Sequence, residues 1–570
     1  MKRSDNTTPH VKGQTAAAVL LWLLPVILVI PNVVLNFTEI SYTGLDKLIN
    51  VVLPMGCYLV LCSLSGKIGR TGLFFIPLMF LCAFQIVLLL LYGESIIAID
   101  MFLNLATTNS NEVSEVLDNL GGAIALVCLL YLPVIGYSVY LTVCRYRSSA
   151  ESRKYSMFVG VVLALCGAVC LVFVHFDDEG YKADRKLFPV NVMSNFFQAI
   201  HRSRLTVEYP ETSADFSFEA SDSRAGSQPE IYVMIIGETS RAGNWQLNGY
   251  DRPTNPRLSE RANLFSFGKV LSESNTTHKS VPLMMSHLSS AHFSDSIYRT
   301  KGIIEAFAEA GYSTGWFSSQ KRNHSLIDFF GEEADESVFI TDDGEAHYDI
   351  ELCSCLDNFL NRHNGRKCFV VLHTYGSHFN YKERFGEEYD YFRSDGPCTA
   401  SKNNREHLVN AYDNSLRAVD AMIDSVIAIV DARAVAAAVV YAADHGEDIF
   451  DDSRERFLHA SPTPTYYQLH VPMLVWFSDT YRDKYPDKCG AVAANVDKNI
   501  STSRSMSHTL LSLAGVESPV YDAEAAVSEQ CYTEPVRQYL NDYNEAVPLI
   551  KSGLRKQDFN AFDRRKIAYK

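Results

Sequence analysis

The sequence predicts a protein of two parts: five transmembrane helices, then a soluble α/β domain with a mostly parallel sheet flanked by helices. Three observations support this fold class. A chain of 570 residues is longer than one hydrophobic core usually supports. Five apolar stretches of membrane-spanning length occupy the first third of the chain. Four short apolar runs of the kind that form buried strands follow in the remainder.

The membrane part is predicted to comprise residues 1–176. Its apolar stretches are 16–35, 45–64, 73–97, 122–143 and 157–175. Each is close to the roughly 20 residues that a helix needs to cross a bilayer. Lys and Arg precede the first stretch and recur in alternate connections, so the positive-inside rule predicts a cytoplasmic N-terminus and an external C-terminal part. The basic start also resembles a signal peptide, but no A-x-A cleavage site follows it, which favours a retained helix.

The two parts differ in charge. Residues 1–176 carry 10 Lys and Arg against 9 Asp and Glu, whereas the rest of the chain carries 41 against 57. Such an acidic surface repels polyanions, which argues against a nucleic-acid partner. An anionic substrate would need a local cation, such as a bound metal.

The 13 cysteines fall into two groups. Seven lie in the apolar stretches, where they are expected to pack as small apolar side chains. The other six are Cys353, Cys355, Cys368, Cys398, Cys489 and Cys531. In an exported domain these six are predicted to be largely oxidised, in up to three disulfides with 15 possible pairings. Reduced thiols in a cytosolic domain are the alternative if the topology is reversed.

Residues 177–229 are predicted to be a linker, because they lack a sustained apolar period and end in a tract of small polar residues. Within this segment, residues 187–200 mix apolar side chains with flanking Arg and Lys, which is typical of an amphipathic helix. Such a helix lies either at the membrane surface or against the soluble domain, and both positions remain open.

The catalytic domain is predicted to span residues 230–570. Its apolar runs at 231–237, 368–374, 434–446 and 471–477 are typical of strands buried in a parallel sheet. Three runs end in possible ligands: Glu238 with Thr239, His373, and Asp444 with His445. Ligands gather at the carboxyl ends of parallel strands, so we expect these residues at one edge. Carboxylates with an imidazole suit zinc, with manganese as the second choice.

Seven motifs occur along this domain in one order. They are IGETSR (236–241), NGYDRPTNP (248–256), THKSVP (277–282), LHTYGSH (372–378), LVNAYDNSLRAVD (408–420), DHGE (444–447) and FLHASP (457–462). Together they resemble the phosphoethanolamine transferases of the alkaline phosphatase superfamily, which modify lipid A and other envelope glycans. The resemblance implies a sulfatase-like ectodomain in the periplasm, anchored in the bacterial inner membrane.

The resemblance also implies roles for individual residues. Glu238, Asp444 and His445, together with Thr277, are implied to hold the catalytic zinc, and Thr277 is implied to be the nucleophile. The chemistry agrees, because a threonine hydroxyl attacks at neutral pH only when a metal or a base lowers its pKa. From its polar loop alone, Thr277 would be interpreted as a turn residue. The hydroxyl of Thr239 is expected to cap the following helix instead.

Six further residues are implied to contact substrate or a second metal. They are His373, His378, His459, Asn104, Thr108 and Glu112. The three histidines match those that hold the transferred phosphate or a second zinc in the family. The other three belong to NLATTNSNE (104–112), which matches a substrate loop, and their spacing places them on one face of a helix. They are expected to bind the headgroup of the donor lipid.

Two features depart from the family pattern. The polymyxin-resistance members have a cysteine pair around the nucleophile, and Glu273 and Leu283 stand in those places here. The segment WFSSQKRNHS (316–325) also differs from those members, so no role is assigned to Gln320, Lys321 or His324.

These features predict a monomeric enzyme that moves phosphoethanolamine from phosphatidylethanolamine to Thr277, and then to lipid A, the lipopolysaccharide core or another envelope glycan. A phosphoglycerol transferase of the lipoteichoic acid synthase type shares the spans, the fold and the threonine, and is the second hypothesis. A sulfatase is disfavoured, because no P-x-R follows Thr277. A non-catalytic sensor or scaffold is disfavoured because the ligand residues are all present.

Overall fold

The protein divides into two compact units in a computed structural model. The structure describes residues 8–38, 42–92, 97–107, 121–177, 182–224 and 228–570. One unit comprises residues 1–102 and 110–200, and the other comprises residues 103–109 and 201–570.

The first unit is helical. Its main helices are Thr8–Leu28, Ile30–Thr38, Gly44–Ser63, Ile68–Phe74, Ile76–Tyr92, Gly121–Val143 and Ala150–Asp177. Within the described residues, four helical segments are long and apolar enough to cross a membrane: Lys12–Thr38, Gly44–Ser63, Gly121–Val143 and Ala150–Val174. The pair Ile68–Phe74 and Ile76–Leu90, bent by 52°, makes a fifth if it is one span. The count is therefore four or five, against the predicted five.

Glycines allow two of these helices to pack closely. A Cβ atom on Gly56 would lie 2.3 Å from the backbone nitrogen of Ala164, and one on Gly160 would lie 2.9 Å from Cβ of Leu59. Close contact through small residues is typical of helices in membranes, where packing rather than water exclusion drives association.

The segment predicted to be a linker contains the helices Ala183–Lys186 and Val190–Thr212. Near the end of the longer helix, Tyr209 is buried, and Phe218 is buried a few residues beyond it. Both side chains belong to the hydrophobic core of the second unit. The segment after residue 200 thus contributes side chains to a folded core.

The second unit is built on a seven-stranded sheet. Its strands are β1 (Glu230–Gly237), β2 (Leu264–Phe267), β3 (Ser313–Ser318), β4 (Glu336–Phe339), β5 (Cys368–His373), β6 (Ala436–Ala443) and β7 (Met473–Phe477). Their spatial order is β2-β7-β6-β1-β5-β3-β4. Strands β6, β1, β5, β3 and β4 are parallel to one another. Strand β7 runs antiparallel to both β6 and β2.

The sheet is therefore mixed. The expectation that the run at 471–477 forms a parallel strand is wrong, because an apolar run reports burial on both faces and not strand direction. The central strand β1 shows that burial well. Tyr232, Met234 and Ile236 face one hydrophobic core, and the alternate residues of the same strand face the other.

Helices cover both faces of the sheet. The longer ones are Thr277–Met285, Leu352–Arg362, Arg405–Asp431, Pro486–Asn495, Thr502–Ala514 and Lys556–Arg565. Shorter ones are Ile303–Glu309, Leu326–Glu332, Tyr466–Leu469 and Asp479–Lys484. The helix Arg405–Asp431 buries an apolar stripe that includes Leu408, Leu416 and Ile423, as expected for a helix with one face on a core.

Candidate active site

Four strand ends bring the candidate residues together. Because β1, β3, β5 and β6 are mutually parallel, their carboxyl ends lie side by side. Glu238 directly follows β1, Asp444 and His445 directly follow β6, and Gln320 lies two residues after β3. His373 is the last residue of β5.

Glu238, Asp444 and His445 form a compact buried group, with one ligand atom from each within 4.8 Å of the others. The His445 Nε2 lies 3.2 Å from Asp444 Oδ2 and 3.5 Å from Glu238 Oε1. Its Nδ1 lies 2.9 Å from the carbonyl oxygen of Gly446, to which it donates, so Nε2 is left with a lone pair. The backbone N–H of Thr239 donates to Asp444 Oδ1 at 3.1 Å. These second contacts orient the group as metal ligands require.

The electrostatics of this group favour a bound cation. Burial, and after it the charge of Asp444, raises the pKa of Glu238 to about 8. Burial raises the pKa of Asp444 to about 7, and among the residues that the structure describes its Oδ2 has no hydrogen-bond partner. Burial also lowers the pKa of His445, which keeps the imidazole neutral. A divalent cation would relieve the repulsion between the carboxylates and satisfy the unpartnered oxygen, and this donor set fits zinc.

Thr277 lies against the same group. Its Oγ1 donates to Glu238 Oε2 at 3.2 Å and lies 3.1 Å from His445 Nε2. Thr277 is the first residue of the helix Thr277–Met285, and the extended backbone of Thr276 caps that helix. The N-terminus of a helix stabilises negative charge, so this position suits an oxygen that becomes anionic.

Two of the three predicted histidines lie beside the group. The ring centroid of His459 is 4.3 Å from that of His445 and 5.3 Å from that of His378. Burial lowers the pKa of His378 to about 4 and holds the pKa of His459 well below its ordinary value. Both imidazoles are therefore neutral near pH 7, which suits contact with a phosphoryl oxygen better than the donation of a proton.

His373 makes different contacts from those of His378 and His459. Its Nδ1 lies 3.1 Å from the hydroxyl oxygen of Ser318, and its ring lies 5.2 Å from that of Trp316. Burial lowers its pKa to about 3. The structure thus places His373 in the core at the strand end, without a contact to the three candidate ligands.

Two residues at the site were missed from the sequence. Gln320, to which no role was assigned, donates from Nε2 to Glu238 Oε2 at 3.2 Å and to the carbonyl oxygen of Thr374 at 2.8 Å. Glu447, in the DHGE motif, is fully buried, and in the described part of the chain neither of its carboxyl oxygens has a hydrogen-bond partner. Its Oε2 lies 3.6 Å from His459 Nδ1. The DHGE motif was the only sequence feature that indicated a role for Glu447. No sequence feature indicated a role for Gln320.

Other expected residues lie away from the site. Lys321 and His324 are exposed. Asn104 lies in the helix Ile99–Thr107, but its side chain, Thr108 and Glu112 lie outside the described residues.

The prediction that Thr239 caps a helix is wrong. Its hydroxyl donates to Glu238 Oε1 at 2.5 Å, and the next helical turn, Ala242–Asn244, has Arg241 at its cap position. The cap prediction failed because the ligand carboxylate competes for the same hydroxyl.

The predicted disulfides are also absent, since all 13 cysteines are free thiols. Cys353 and Cys368 are buried, and burial raises the pKa of each to about 12. A thiol with such a pKa is protonated and reacts slowly with oxidants. At the positions of the family's cysteine pair, Leu283 packs in the core and Glu273 Oε2 accepts a hydrogen bond from Ser503 at 2.6 Å.

Comparison with known proteins identifies the second unit. Residues 230–516 match the sulfatase family. The chain belongs to this family. The central sheet and the strand-end site of the second unit lie within the matched residues.

The similar proteins include several phosphoethanolamine transferases, which confirms the resemblance noted in the sequence. Phosphoethanolamine transferase EptA of Escherichia coli K12 is 30% identical over 53% of this chain and 56% of its own length. Kdo(2)-lipid A phosphoethanolamine 7''-transferase of the same strain is 32% identical over 44% of each chain. The chain thus matches about half the length of these relatives.

Two solved structures extend the comparison. The soluble domain of lipooligosaccharide phosphoethanolamine transferase A from Neisseria meningitidis aligns with a TM-score of 0.50 at 28% identity, over 55% of this chain and 97% of that one. The integral membrane form of that protein aligns with a TM-score of 0.70 at 22% identity, over 91% of this chain and 99% of that one. The second likeness shows that the fold is shared along nearly the whole chain.

Proposed function

We propose that this protein is a zinc-dependent phosphoethanolamine transferase that uses Thr277 as its nucleophile. The observation that carries the proposal is the position of the Thr277 hydroxyl, 3.2 Å from Glu238 Oε2 and 3.1 Å from His445 Nε2. The sequence relatives named as phosphoethanolamine transferases support the group that is transferred.

The proposed metal site consists of Glu238, Asp444, His445 and Thr277. A zinc ion held there would lower the pKa of the threonine hydroxyl and polarise a phosphoryl oxygen. Gln320 would hold the Glu238 carboxylate in place, since it donates to the oxygen that also receives the Thr277 hydrogen bond.

In the first half-reaction, Thr277 Oγ1 attacks the phosphorus of phosphatidylethanolamine. The new bond joins Oγ1 to phosphorus, and the bond between phosphorus and the glycerol oxygen breaks. That oxygen takes up the proton equivalent lost by Thr277, so the products are diacylglycerol and a phosphoethanolamine ester of Thr277. His378 and His459, both neutral, would contact the phosphoryl oxygens.

In the second half-reaction, a phosphate oxygen or hydroxyl of an envelope glycan attacks the same phosphorus. The threonine ester bond breaks, and Thr277 regains its proton. Lipid A is the acceptor we propose, because it appears in the name of a sequence relative. One site thus serves both substrates in turn.

The apolar helices support a place in the bacterial inner membrane. We place the N-terminus in the cytoplasm and the catalytic domain in the periplasm, where the ethanolamine lipid and the glycolipid are both within reach. Buried, protonated thiols are compatible with that oxidising compartment.

The test is transfer by the purified full-length protein in detergent. With zinc, phosphatidylethanolamine and lipid A, we expect mass spectrometry to detect diacylglycerol and lipid A that carries phosphoethanolamine. A parallel reaction with phosphatidylglycerol tests the phosphoglycerol transferase hypothesis. Transfer only from phosphatidylglycerol, or none from either lipid, would overturn the proposal.

A further inference from the structure

A cavity in the second unit lies next to the loop that carries Asp444 and His445. Its volume is about 450 Å³, and its lining includes none of the residues assigned to the metal site or the nucleophile. The loop at Gly446 packs directly against its wall. A Cβ atom on Gly446 would lie 2.3 Å from the carbonyl oxygen of Tyr467 and 3.1 Å from Cγ of Arg241, both of which line the cavity.

The cavity is strongly basic in an otherwise acidic domain. Four arginines line it, with one carboxylate, Asp451. Arg241 and Arg405 donate to the same oxygen of Asp451, at 2.8 and 3.1 Å. Arg565 donates to the carbonyl oxygen of Asn248 at 2.7 Å. The remaining guanidinium belongs to Arg564, which is exposed, and within the described residues neither Arg564 nor Arg565 forms an ion pair with a carboxylate. The excess positive charge faces the cavity.

One of these arginines has an unused donor. Arg241 is only 6% exposed, yet within the described residues its Nε has no hydrogen-bond partner. An unpaired donor on a buried guanidinium is costly, and an anion bound beside Arg241 would stabilise the charge of that guanidinium. Guanidinium groups bind phosphate through paired N–H donors, so several arginines around one space suit a phosphate-bearing ligand.

Two of the three tyrosine rings that line the cavity are covered or packed, and the third tyrosine, Tyr250, donates its hydroxyl to Asp413 Oδ2 at 3.0 Å. The guanidinium of Arg241 lies 4.7 Å from the ring centroid of Tyr467 and covers one of its faces. The ring of Tyr466 packs against Phe562, and its hydroxyl lies 2.8 Å from His470 Nδ1. Because the faces of these two rings are covered or packed, they can contact a ligand through their edges and polar groups more readily than by stacking. That arrangement suits a ring with hydroxyl groups better than a purine base.

We propose that this cavity is a binding site for a phosphorylated sugar. Its volume lies within the range typical of small-molecule sites, and its arginines would hold the phosphate while polar edges contact the sugar. Such a ligand has two possible sources, a free sugar phosphate or the phosphorylated headgroup of a glycolipid. The proposal does not depend on transfer by Thr277, because the two sites share no residue.

The test is calorimetric titration of the full-length Thr277→Ala protein in detergent at low salt. We expect saturable binding of glucose 1-phosphate that weakens as salt is added, and no binding of glucose. Arg564→Glu should weaken binding by about tenfold or more, because it reverses a charge that faces the phosphate. The matched control is Arg366→Glu, an exposed arginine outside the cavity, which should bind as the parent does.

Lipid A micelles in place of glucose 1-phosphate identify the source. Binding of the micelles that Arg564→Glu also weakens assigns the cavity to the glycolipid, and binding of glucose 1-phosphate alone assigns it to a free sugar phosphate. The proposal is overturned if neither probe binds, if adenosine monophosphate binds as tightly as glucose 1-phosphate, or if both charge reversals weaken binding equally. Loss of binding in His378→Ala but not in Arg564→Glu would also overturn it, because the ligand would then occupy the catalytic site.

Discussion

The hydroxyl of Thr277 is the atom on which the proposed chemistry depends most directly. Thr277→Ala should reduce transfer by roughly a thousandfold or more, because no other group can form the covalent ester. Thr277→Ser should retain measurable activity, since the hydroxyl survives. With phosphatidylethanolamine and no acceptor, the wild-type protein should accumulate a phosphoethanolamine adduct on the peptide that contains Thr277, detected by mass spectrometry.

The neighbouring Thr276 provides the matched control. It is buried in the same loop, and its hydroxyl lies 3.2 Å from that of Ser274 rather than against the metal ligands. Thr276→Ala should therefore keep most of the activity. Full activity in Thr277→Ala, or an adduct on Thr276, would show that the nucleophile is misassigned.

The two buried carboxyls should make metal binding depend on pH. Without a metal, the pKa is about 8 for Glu238 and about 7 for Asp444, so both groups are mostly protonated below pH 7. A cation must displace these protons, so its affinity falls with decreasing pH, by about tenfold per unit for each proton displaced. The rise in Tm on adding zinc should be larger above pH 8 than below pH 7.

Without a metal, the free energy of unfolding of the protein should fall as pH rises. The folded state keeps a proton on Glu238 up to a pKa of about 8, whereas the unfolded state releases it near 4.5. This carboxyl therefore lowers the free energy of unfolding as pH rises between those values.

Glu333, whose pKa burial also raises to about 8, is the control for the pH dependence of zinc binding. Glu333→Gln should leave the pH dependence of the zinc effect unchanged, and an unchanged dependence in Glu238→Gln would contradict the assignment.

At the scale of elements, the loop after β5 supports the metal ligand that follows β1. Gly376 has a φ of +55°, and a Cβ atom there would lie 2.4 Å from the carbonyl oxygen and 3.0 Å from Cβ of Glu238. Gly376→Ala should therefore displace Glu238 and weaken zinc binding, in addition to a backbone cost of about 1–2 kcal/mol. Calorimetric titration with zinc measures the loss.

A second glycine, Gly365, serves as a control that distinguishes the backbone cost from the displacement of Glu238. Gly365 also has a positive φ, +81°, but nothing lies within 4 Å of a Cβ atom built there. Gly365→Ala should lower stability by a similar backbone cost while zinc affinity stays at the wild-type level. Equal zinc affinity in the two variants would show that the loop does not position Glu238.

At the scale of the whole molecule, the second unit should fold alone. Its thermal stability should depend on the residue at which the fragment begins. Tyr209 is 3% exposed and Phe218 is 1% exposed, and both lie in the core of the sheet domain. A fragment of residues 201–570 should therefore have a clearly higher Tm than a fragment of residues 230–570, since burial of a large aromatic side chain is worth about 3–5 kcal/mol. Calorimetry measures both values.

The double variant Tyr209→Ala with Phe218→Ala in the longer fragment is the control. It should lower the Tm towards that of the shorter fragment. Equal Tm values for the two fragments would show that residues 201–229 do not contribute to the core. Both fragments should bind zinc, because the four proposed ligands follow residue 230.

The sequence alone was sufficient for the features that depend on local patterns. The apolar runs at β1, β5 and β6 predicted buried strands, because burial on both faces leaves a continuous apolar stretch. Their order predicted that Glu238, Asp444 and His445 would meet at one edge, since parallel strands align their carboxyl ends. The motif order identified the family to which residues 230–516 belong.

Only the tertiary structure decided features that depend on partners far apart in the chain. The direction of β7 depends on its pairing with β2 and β6, which an apolar run does not report. Gln320 reaches Glu238 because β5 pairs in parallel with both β3 and β1, although 82 residues separate the two side chains. The cysteines remain free thiols, and the ring of His459 lies beside those of His445 and His378, whereas His373 contacts Ser318. Local sequence encodes burial and ligand type, whereas the packing of distant segments sets which side chains meet.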